Sequence, residues 1–195
     1  LQAILGQVIN VGVIAIIILF QPELRHFLQM IGRRQGGFSF LSRIFNTREG
    51  KEPALQPIIT ACAEMSATKT GALIVLAQRS DLSDIIEGGI TVDGRLSVAL
   101  LENIFFKNAP LHDGAAIIQN DRVVAAKCIL PVTQSPVPKA YGTRHRAALG
   151  MSQVTDAVCI IVSEETGNIS VAKDGALSVK ISAIDLEKIL SQALI

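Results

Sequence analysis

Leu111-His112-Asp113-Gly114-Ala115-Ala116-Ile117-Ile118-Gln119-Asn120-Asp121-Arg122 is the stretch whose reading sets the fold. A histidine and an acid stand beside a glycine, after the turn-forming approach Ala109-Pro110-Leu111 and before an apolar run. Asp113-Gly114 opens a strand, Ala115 to Gln119, and Asn120-Asp121 turns the chain into a second strand, Arg122 to Leu130, running back. An acid at a strand's start, beside a glycine that lets a ligand approach the backbone, is a candidate metal ligand or proton acceptor. An ordinary Asp-Gly turn is the competing reading, because that dipeptide is common in turns.

Downstream, Pro131 to Lys139 holds three prolines and reads as an irregular loop. Gly142-Thr143-Arg144-His145-Arg146-Ala147-Ala148 follows, with Thr143 expected to cap a helix from Arg144 to about Val154. Free backbone N–H groups and the helix dipole favour an anion at such a tip, and two guanidinium groups add donors matched to phosphate oxygens. Basic side chains at a helix start oppose the dipole and weaken the helix unless an anion compensates, so the tip reads as a phosphate site. Val158 to Val162 is a strand ending at Ser163-Glu164-Glu165-Thr166-Gly167-Asn168. Carboxylates at a strand end suit a divalent cation, with a solvated acidic turn as the alternative. Ile169 to Ala172 is the next strand, Asp174-Gly175 a turn, and Ser182 caps a closing helix through Leu194.

Upstream, Ala54 to Lys69 is an amphipathic helix with Leu55, Ile58, Ile59, Cys62 and Met65 on one face. Gly71 to Gln78 is a continuous apolar run, short enough for a strand covered on both faces. Asp81 to Glu87 gives one or two helical turns closed by Gly88-Gly89. Ile90 to Leu96 contains the turn signal Asp93-Gly94, and Ser97 to Lys107 is a helix facing Val98, Leu101, Ile104 and Phe105 inward. Helices and strands interleave around a central sheet, so residues 54–195 form an α/β (α+β) domain.

Leu1 to Phe20 carries no charge, and its length matches a bilayer-spanning helix. Arg25, Arg33 and Arg34 follow and place that side in the cytoplasm. A basic leader and a small-residue cleavage site are both missing, which argues against a signal peptide. A buried core helix or a dimer-forming amphipathic helix is the alternative. Pro22 starts a new helical segment, and residues 21–53 read as a juxtamembrane helix and linker. Because Leu1 is not Met, the chain is expected to be part of a longer one.

Composition limits the remaining classes. A net charge of +1 in 195 residues argues against bulk electrostatic binding to nucleic acid. Aromatic content of 4% with no Trp argues against a base-stacking platform. Cys62, Cys128 and Cys159 lie far apart in apolar runs, as buried small hydrophobes do in a reducing compartment. Neither GxxxxGK[ST] nor GxGxxG occurs.

HDGAAI (His112 to Ile117), GTRHRAA (Gly142 to Ala148) and SEETG (Ser163 to Gly167), in this order and spacing, resemble the three motifs of the diadenylate cyclase (DAC) domain. QPELR (Gln21 to Arg25) after an apolar helix resembles the membrane-anchored CdaA type, whose full-length members carry three N-terminal spans. The resemblance covers essentially the whole chain, with the last span retained. It implies a central mixed sheet flanked by helices and a bacterial, membrane-held enzyme with its catalytic domain in the cytoplasm. The implied reaction condenses two ATP into the second messenger cyclic di-AMP and two pyrophosphates, with Mn²⁺, Mg²⁺ or Co²⁺. Asp113 and Gly114 would sit at the ribose, Asp113 deprotonating or positioning the 3′-hydroxyl. Thr143, Arg144, His145 and Arg146 would bind the triphosphate, approached by Ser163 and Glu164. His112 and Glu165 are the metal contacts chosen, with Asp113 and Glu164 as alternatives. The adenine would lie among Met65, Leu76 and Leu130. One chain offers one such site, so catalysis needs two protomers face to face. The family further implies a YbbR-domain membrane regulator and phosphoglucosamine mutase as partners, and no nucleic acid. The rivals are a catalytically silent membrane-tethered adenine-nucleotide sensor and a metal-dependent phosphohydrolase. The sequence lacks the dense Asp/His cluster that the second rival needs.

Overall fold

The structure, a computed structural model, describes residues 55–138 and 141–193. The expected membrane span over 1–20 and the linker over 21–53 lie outside the described residues. Among the described residues, no helix is long and apolar enough to cross a membrane.

The chain runs α1 (Leu55–Ala67), β1 (Ala72–Leu76), α2 (Ser83–Glu87), β2 (Ile90–Arg95), α3 (Val98–Phe105), β3 (Ala115–Gln119), β4 (Arg122–Cys128), α4 (Thr143–Val154), β5 (Val158–Val162), β6 (Ile169–Lys173), β7 (Ala176–Ile181) and α5 (Ala183–Ala193). One seven-stranded sheet has the order β2-β4-β3-β1-β5-β6-β7. β1 and β3 are parallel and every other pair is antiparallel, so the sheet is mixed, as expected.

Side chains alternate across each strand and divide the core into two layers. Ile58 and Met65 of α1, Leu101 of α3 and Leu186 of α5 pack with Ile74, Ala116 and Ile160 on one face. Ala148 and Met151 of α4 pack with Leu73, Ile117 and Ile161 on the other. β1 and β5 are buried along their whole length because helices cover both faces, and their unbroken apolar runs reflect this. Burying each such Leu, Ile or Met side chain contributes about 1.5–3 kcal/mol. Burial also pushes the thiols of Cys62, Cys128 and Cys159 up to about 12, about 11 and about 12, so all three are inert as nucleophiles at neutral pH.

Two tight hairpins fix the register. Asn120 and Asp121 both adopt positive φ (51° and 57°), and Gln119 pairs with Arg122 across them. Asp174 and Gly175 (50° and 73°) do the same for β6 and β7. Two left-handed residues give the twist that joins adjacent strands without splaying them.

The structure departs from the sequence reading at four elements. Asp93-Gly94 is a bulge inside edge strand β2, not a turn: Asp93 has φ 45°, the register with β4 shifts there, and Arg122 Nε donates to Asp93 Oδ1 at 2.7 Å. β7, unassigned from sequence, closes the other edge. It is mostly exposed, with Leu177 packed in the α4 layer and Ile181 in the other, and Lys180 at φ 57° interrupts the alternation, so its apolar period is weak. β4 ends at Cys128 and not at Leu130. Helix α4 begins one residue early, with Gly142 as its cap and no side-chain cap bond, so Thr143 is its first residue instead of its cap. At α5 the expected cap is present: Ser182 Oγ accepts from Asp185 N–H at 3.1 Å and donates to the Asp185 carboxylate at 2.6 Å.

Helix α4 is held from outside by the segment after β4. Thr133 N–H donates to Arg146 O at 3.2 Å, and Thr133 Oγ1 donates to Gln153 Oε1 at 2.9 Å. The segment approaches α4 at Gly150, where a Cβ would meet Pro131 O, Thr133 N at 2.5 Å and Val132 C at 2.7 Å. This close approach holds the Arg-bearing tip of α4 over one end of the sheet.

Candidate active site

The strand registers bring the motif residues to that same end. β1 pairs in parallel with β3 through Ile74–Ala116, so Gly71 and Asp113-Gly114, which precede the two strands, lie at the same end of the sheet. β1 pairs with β5 through Ala72–Val162, so Ser163 and Glu164 follow at Gly71's other side. β3 pairs with β4 through Ala115–Cys128, which brings Ile129 and Leu130 to the same edge. Neighbouring strands lie about 4.8 Å apart, so the acid-glycine corner and the acidic turn are roughly two strand spacings apart.

The tip of α4 closes the gap. Arg144 Nη1 donates to Glu164 Oε2 at 2.9 Å. Both groups lie directly over Gly71: a Cβ there would meet Arg144 Nη1 at 2.7 Å and Glu164 Oε2 at 2.9 Å. Gly71 thus leaves room for an ion pair above the start of β1. No acidic residue stands in the first turn of α4, so Glu164 supplies from another element the anion that a basic helix tip requires. The N–H groups of Thr143, Arg144 and His145 precede the first intrahelical bond, Arg146 N–H to Gly142 O at 3.2 Å, and remain available to an anion. Thr143 and Arg146 are exposed.

The corner itself is strained. Gly114 has φ 140°, and a Cβ there would meet Lys127 Cα at 2.8 Å and Cys128 O at 3.0 Å. Lys127 has φ 56°, and the β3–β4 register shifts beside it. This bulge presses the β4 backbone against Gly114 and leaves Asp113 exposed at the rim. His112 Nδ1 lies 2.6 Å from Ala109 O and can only donate to it, which leaves Nε2 with its lone pair free.

The acidic turn is held firmly. Gly167 N–H donates to Ser163 O at 2.8 Å, Ser163 N–H to Asn168 O at 3.0 Å and Thr166 N–H to Ser163 Oγ at 3.3 Å. Ser66 Oγ donates to Gly167 O at 2.6 Å and ties the turn to α1. Ser163 therefore spends a lone pair on the turn and keeps its hydroxyl proton for another acceptor.

The family model described as "DAC: DisA bacterial checkpoint controller nucleotide-binding" matches residues 59–177. The chain is 44% identical over 192 residues to "Cyclic di-AMP synthase CdaA" of Bacillus subtilis, covering 97% of this chain and 69% of that protein. The chain belongs to the DAC family. It is also 44% identical to a diadenylate cyclase of Listeria monocytogenes, over 98% of this chain and 70% of that one. The fold matches the crystal structure of a double mutant of DacA from Staphylococcus aureus, with a TM-score of 0.71, 46% identity, and coverage of 72% of this chain and 95% of that one. A hypothetical membrane spanning protein from Bacillus cereus matches at a TM-score of 0.64 and 36% identity, over 85% of this chain and 80% of that one.

Two residues expected in the adenine wall lie apart from the gathered motif residues. Leu76 lies at the far end of β1, about 13 Å along the strand from its first residue. Met65 is 1% exposed in the core layer opposite α4. An apolar residue on the preceding helix or strand satisfies a sequence search, but strand polarity and face decide whether it reaches the site. Leu130 meets both tests, being packed in the α4 layer at the correct end. Its neighbour Ile129, 83% exposed, is an apolar surface that the sequence reading missed. Gly71, Tyr141 and Ser170 were missed as well. For Ser170 a signal exists, a lone hydroxyl inside the apolar run of β6.

The four candidate metal ligands, His112, Asp113, Glu164 and Glu165, are not gathered in advance. Among the described residues no three His, Cys, Asp or Glu side chains converge as a metal centre, and Glu164 is engaged by Arg144. An imidazole with a free Nε2 and exposed carboxylates still suit a divalent ion that takes its remaining ligands from phosphate oxygens.

His145 is half-buried, stacks on Tyr141 with ring centroids 5.4 Å apart at 18°, and places Nε2 3.3 Å from Ser170 Oγ. Burial holds its imidazole below the ordinary histidine range. The folded state thus favours the neutral ring. The stability this contributes is complete above the ordinary histidine pKa of about 6.5 and is lost as the pH falls below it. Between about pH 7.5 and about pH 5.5 the wild-type Tm should therefore fall more than that of His145→Gln. Equal losses would show that His145 titrates alike in both states.

Proposed function

We propose that this chain is a diadenylate cyclase that condenses two ATP into cyclic di-AMP and two pyrophosphates. The observation that carries the proposal is the convergence at Gly71. The Arg144–Glu164 pair sits over it, and Asp113 and Gly114 immediately precede β3, the strand beside β1. A ribose at the corner and a triphosphate at the tip of α4 would then belong to one nucleotide.

Asp113, exposed beside a backbone that Gly114 leaves bare, accepts or positions the proton of the 3′-hydroxyl. Arg144, Arg146 and the free N–H groups of α4 hold the triphosphate, and the Thr143 and Ser163 hydroxyls are placed to donate to it. Once phosphate oxygens arrive, Glu164 is no longer the sole anion facing Arg144. Leu130 and Ile129 offer the apolar edge for adenine. His112, Asp113 and Glu165, with Glu164 as an alternative, would hold Mn²⁺, Mg²⁺ or Co²⁺, which neutralises charge on the phosphates when bound.

Each chain presents one corner and one tip, so the 3′-hydroxyl on one protomer attacks the α-phosphorus of ATP on another across a two-fold axis. The rate per protomer should rise with protein concentration and then level off as the dimer fills. A rate per protomer that stays constant across the dilution series would contradict the two-chain site. Attachment to a membrane through residues 1–20, with the catalytic domain in the cytoplasm, rests on the apolar run and on the membrane-spanning description of the Bacillus cereus neighbour. A YbbR-domain protein and phosphoglucosamine mutase are the regulators the family suggests.

A further inference from the structure

We propose that Ser170 is a positioning residue for the triphosphate site, acting through His145 by donating its hydroxyl to His145 Nε2 while Tyr141 stacks on the ring. This rests on the cyclase reading for its kinetic consequence but not for its structural one.

Ser170 is the second residue of β6 and pairs with Ile161 of β5. Its neighbours Ile169 and Val171 face the layer of α1, α3 and α5, so Ser170 faces α4 with Ala172. It is 1% exposed, one of three buried polar residues among those described. A hydroxyl buried without a partner is costly, about 1–3 kcal/mol. The partner it has is His145 Nε2 at 3.3 Å, reached from the first turn of α4. Tyr141, just before the helix, stacks at 18° and limits rotation of the imidazole from the other side. Arg144 and Arg146 flank the same ring in sequence, so a neutral imidazole avoids placing a third positive charge there.

A neutral imidazole offers one donor and one acceptor. A histidine at a phosphate-binding helix tip is useful as a donor, because phosphate oxygens only accept. If Nε2 accepts from Ser170, the proton sits on Nδ1, and the free face of the ring carries an N–H. Unconstrained neutral histidine prefers the opposite tautomer, so the serine makes the choice.

The test is a long-range ¹H–¹⁵N spectrum of the full chain at about pH 7.5, together with steady-state kinetics. Only three histidines need assigning, and His145→Gln identifies the signal. The wild type should show His145 protonated on Nδ1. Ser170→Ala should shift it toward the Nε2–H form and raise KM for ATP about three- to tenfold, the loss of one hydrogen bond, with kcat within about twofold. Ser170→Thr, which keeps the hydroxyl, should restore both. Wild-type His145 protonated on Nε2, or a Ser170→Ala spectrum and KM equal to wild type, would overturn the proposal. Absence of cyclic di-AMP from the wild type would sink the cyclase reading alone, since the tautomer is read without turnover.

Discussion

Asp113→Asn should cut cyclic di-AMP formation by about 10²- to 10⁴-fold while ATP still binds. The carboxylate is exposed at the start of β3, beside a glycine held at φ 140° by the β4 bulge. The amide keeps the size and the hydrogen-bonding reach but accepts no proton at neutral pH. General-base assistance is worth about 10²- to 10⁴-fold, so kcat should fall by that order. The triphosphate contacts proposed above reside on α4 and the 163–167 turn, and Asp113 belongs to neither. Titration calorimetry without added divalent cation should therefore give a Kd for ATP within about threefold of wild type. Stability should change by no more than about 0.5 kcal/mol, as at other exposed positions. Normal turnover would refute the role given to Asp113. Joint loss of binding and turnover would move that residue into ground-state binding.

Gly150→Ala is the second large effect, and its sign runs against helix propensity. In an exposed helix the change would stabilise by about 1 kcal/mol. Here the new methyl meets only backbone: Pro131 O, Thr133 N and Val132 C. Backbone cannot rotate aside as a side-chain end can, so either α4 lifts or the 131–133 segment moves. Overpacking of this kind costs about 1–3 kcal/mol, and movement also threatens the Thr133–Arg146 and Thr133–Gln153 bonds, each worth about 1 kcal/mol. Net destabilisation of about 2–4 kcal/mol should lower Tm by roughly 5–15 °C in a chain of this size. The Arg144 tip shifts with the helix, so KM for ATP should also rise. An unchanged or higher Tm would mean that the segment does not press on α4.

The sequence reading succeeded where one layer of chemistry governs each residue. Apolar runs buried on both faces, β1 and β5, and the hairpin at Asn120-Asp121 follow from local pattern alone. β7 escaped because an edge strand buries too little to impose a clear period. The bulge at Asp93-Gly94 was read as a turn because positive φ serves either purpose, and only pairing with β4 distinguishes them. The motif residues that meet at one end of the sheet were legible from their order and spacing, as candidates. Gly71 was not, because its role is space above a strand. Ser170 shows only as a lone hydroxyl in an apolar strand, because its partner lies 25 residues away on another element. Met65 and Leu76 lie apart from the motif residues, a separation set by strand direction and face, which are tertiary properties.

The most direct measurement is chromatographic identification of the product made from ATP and Mn²⁺ by the full chain, with pyrophosphate counted alongside. Cyclic di-AMP with two pyrophosphates per molecule is the predicted result. ADP or AMP as the product, or bound ATP with no pyrophosphate released at any protein concentration, would contradict it.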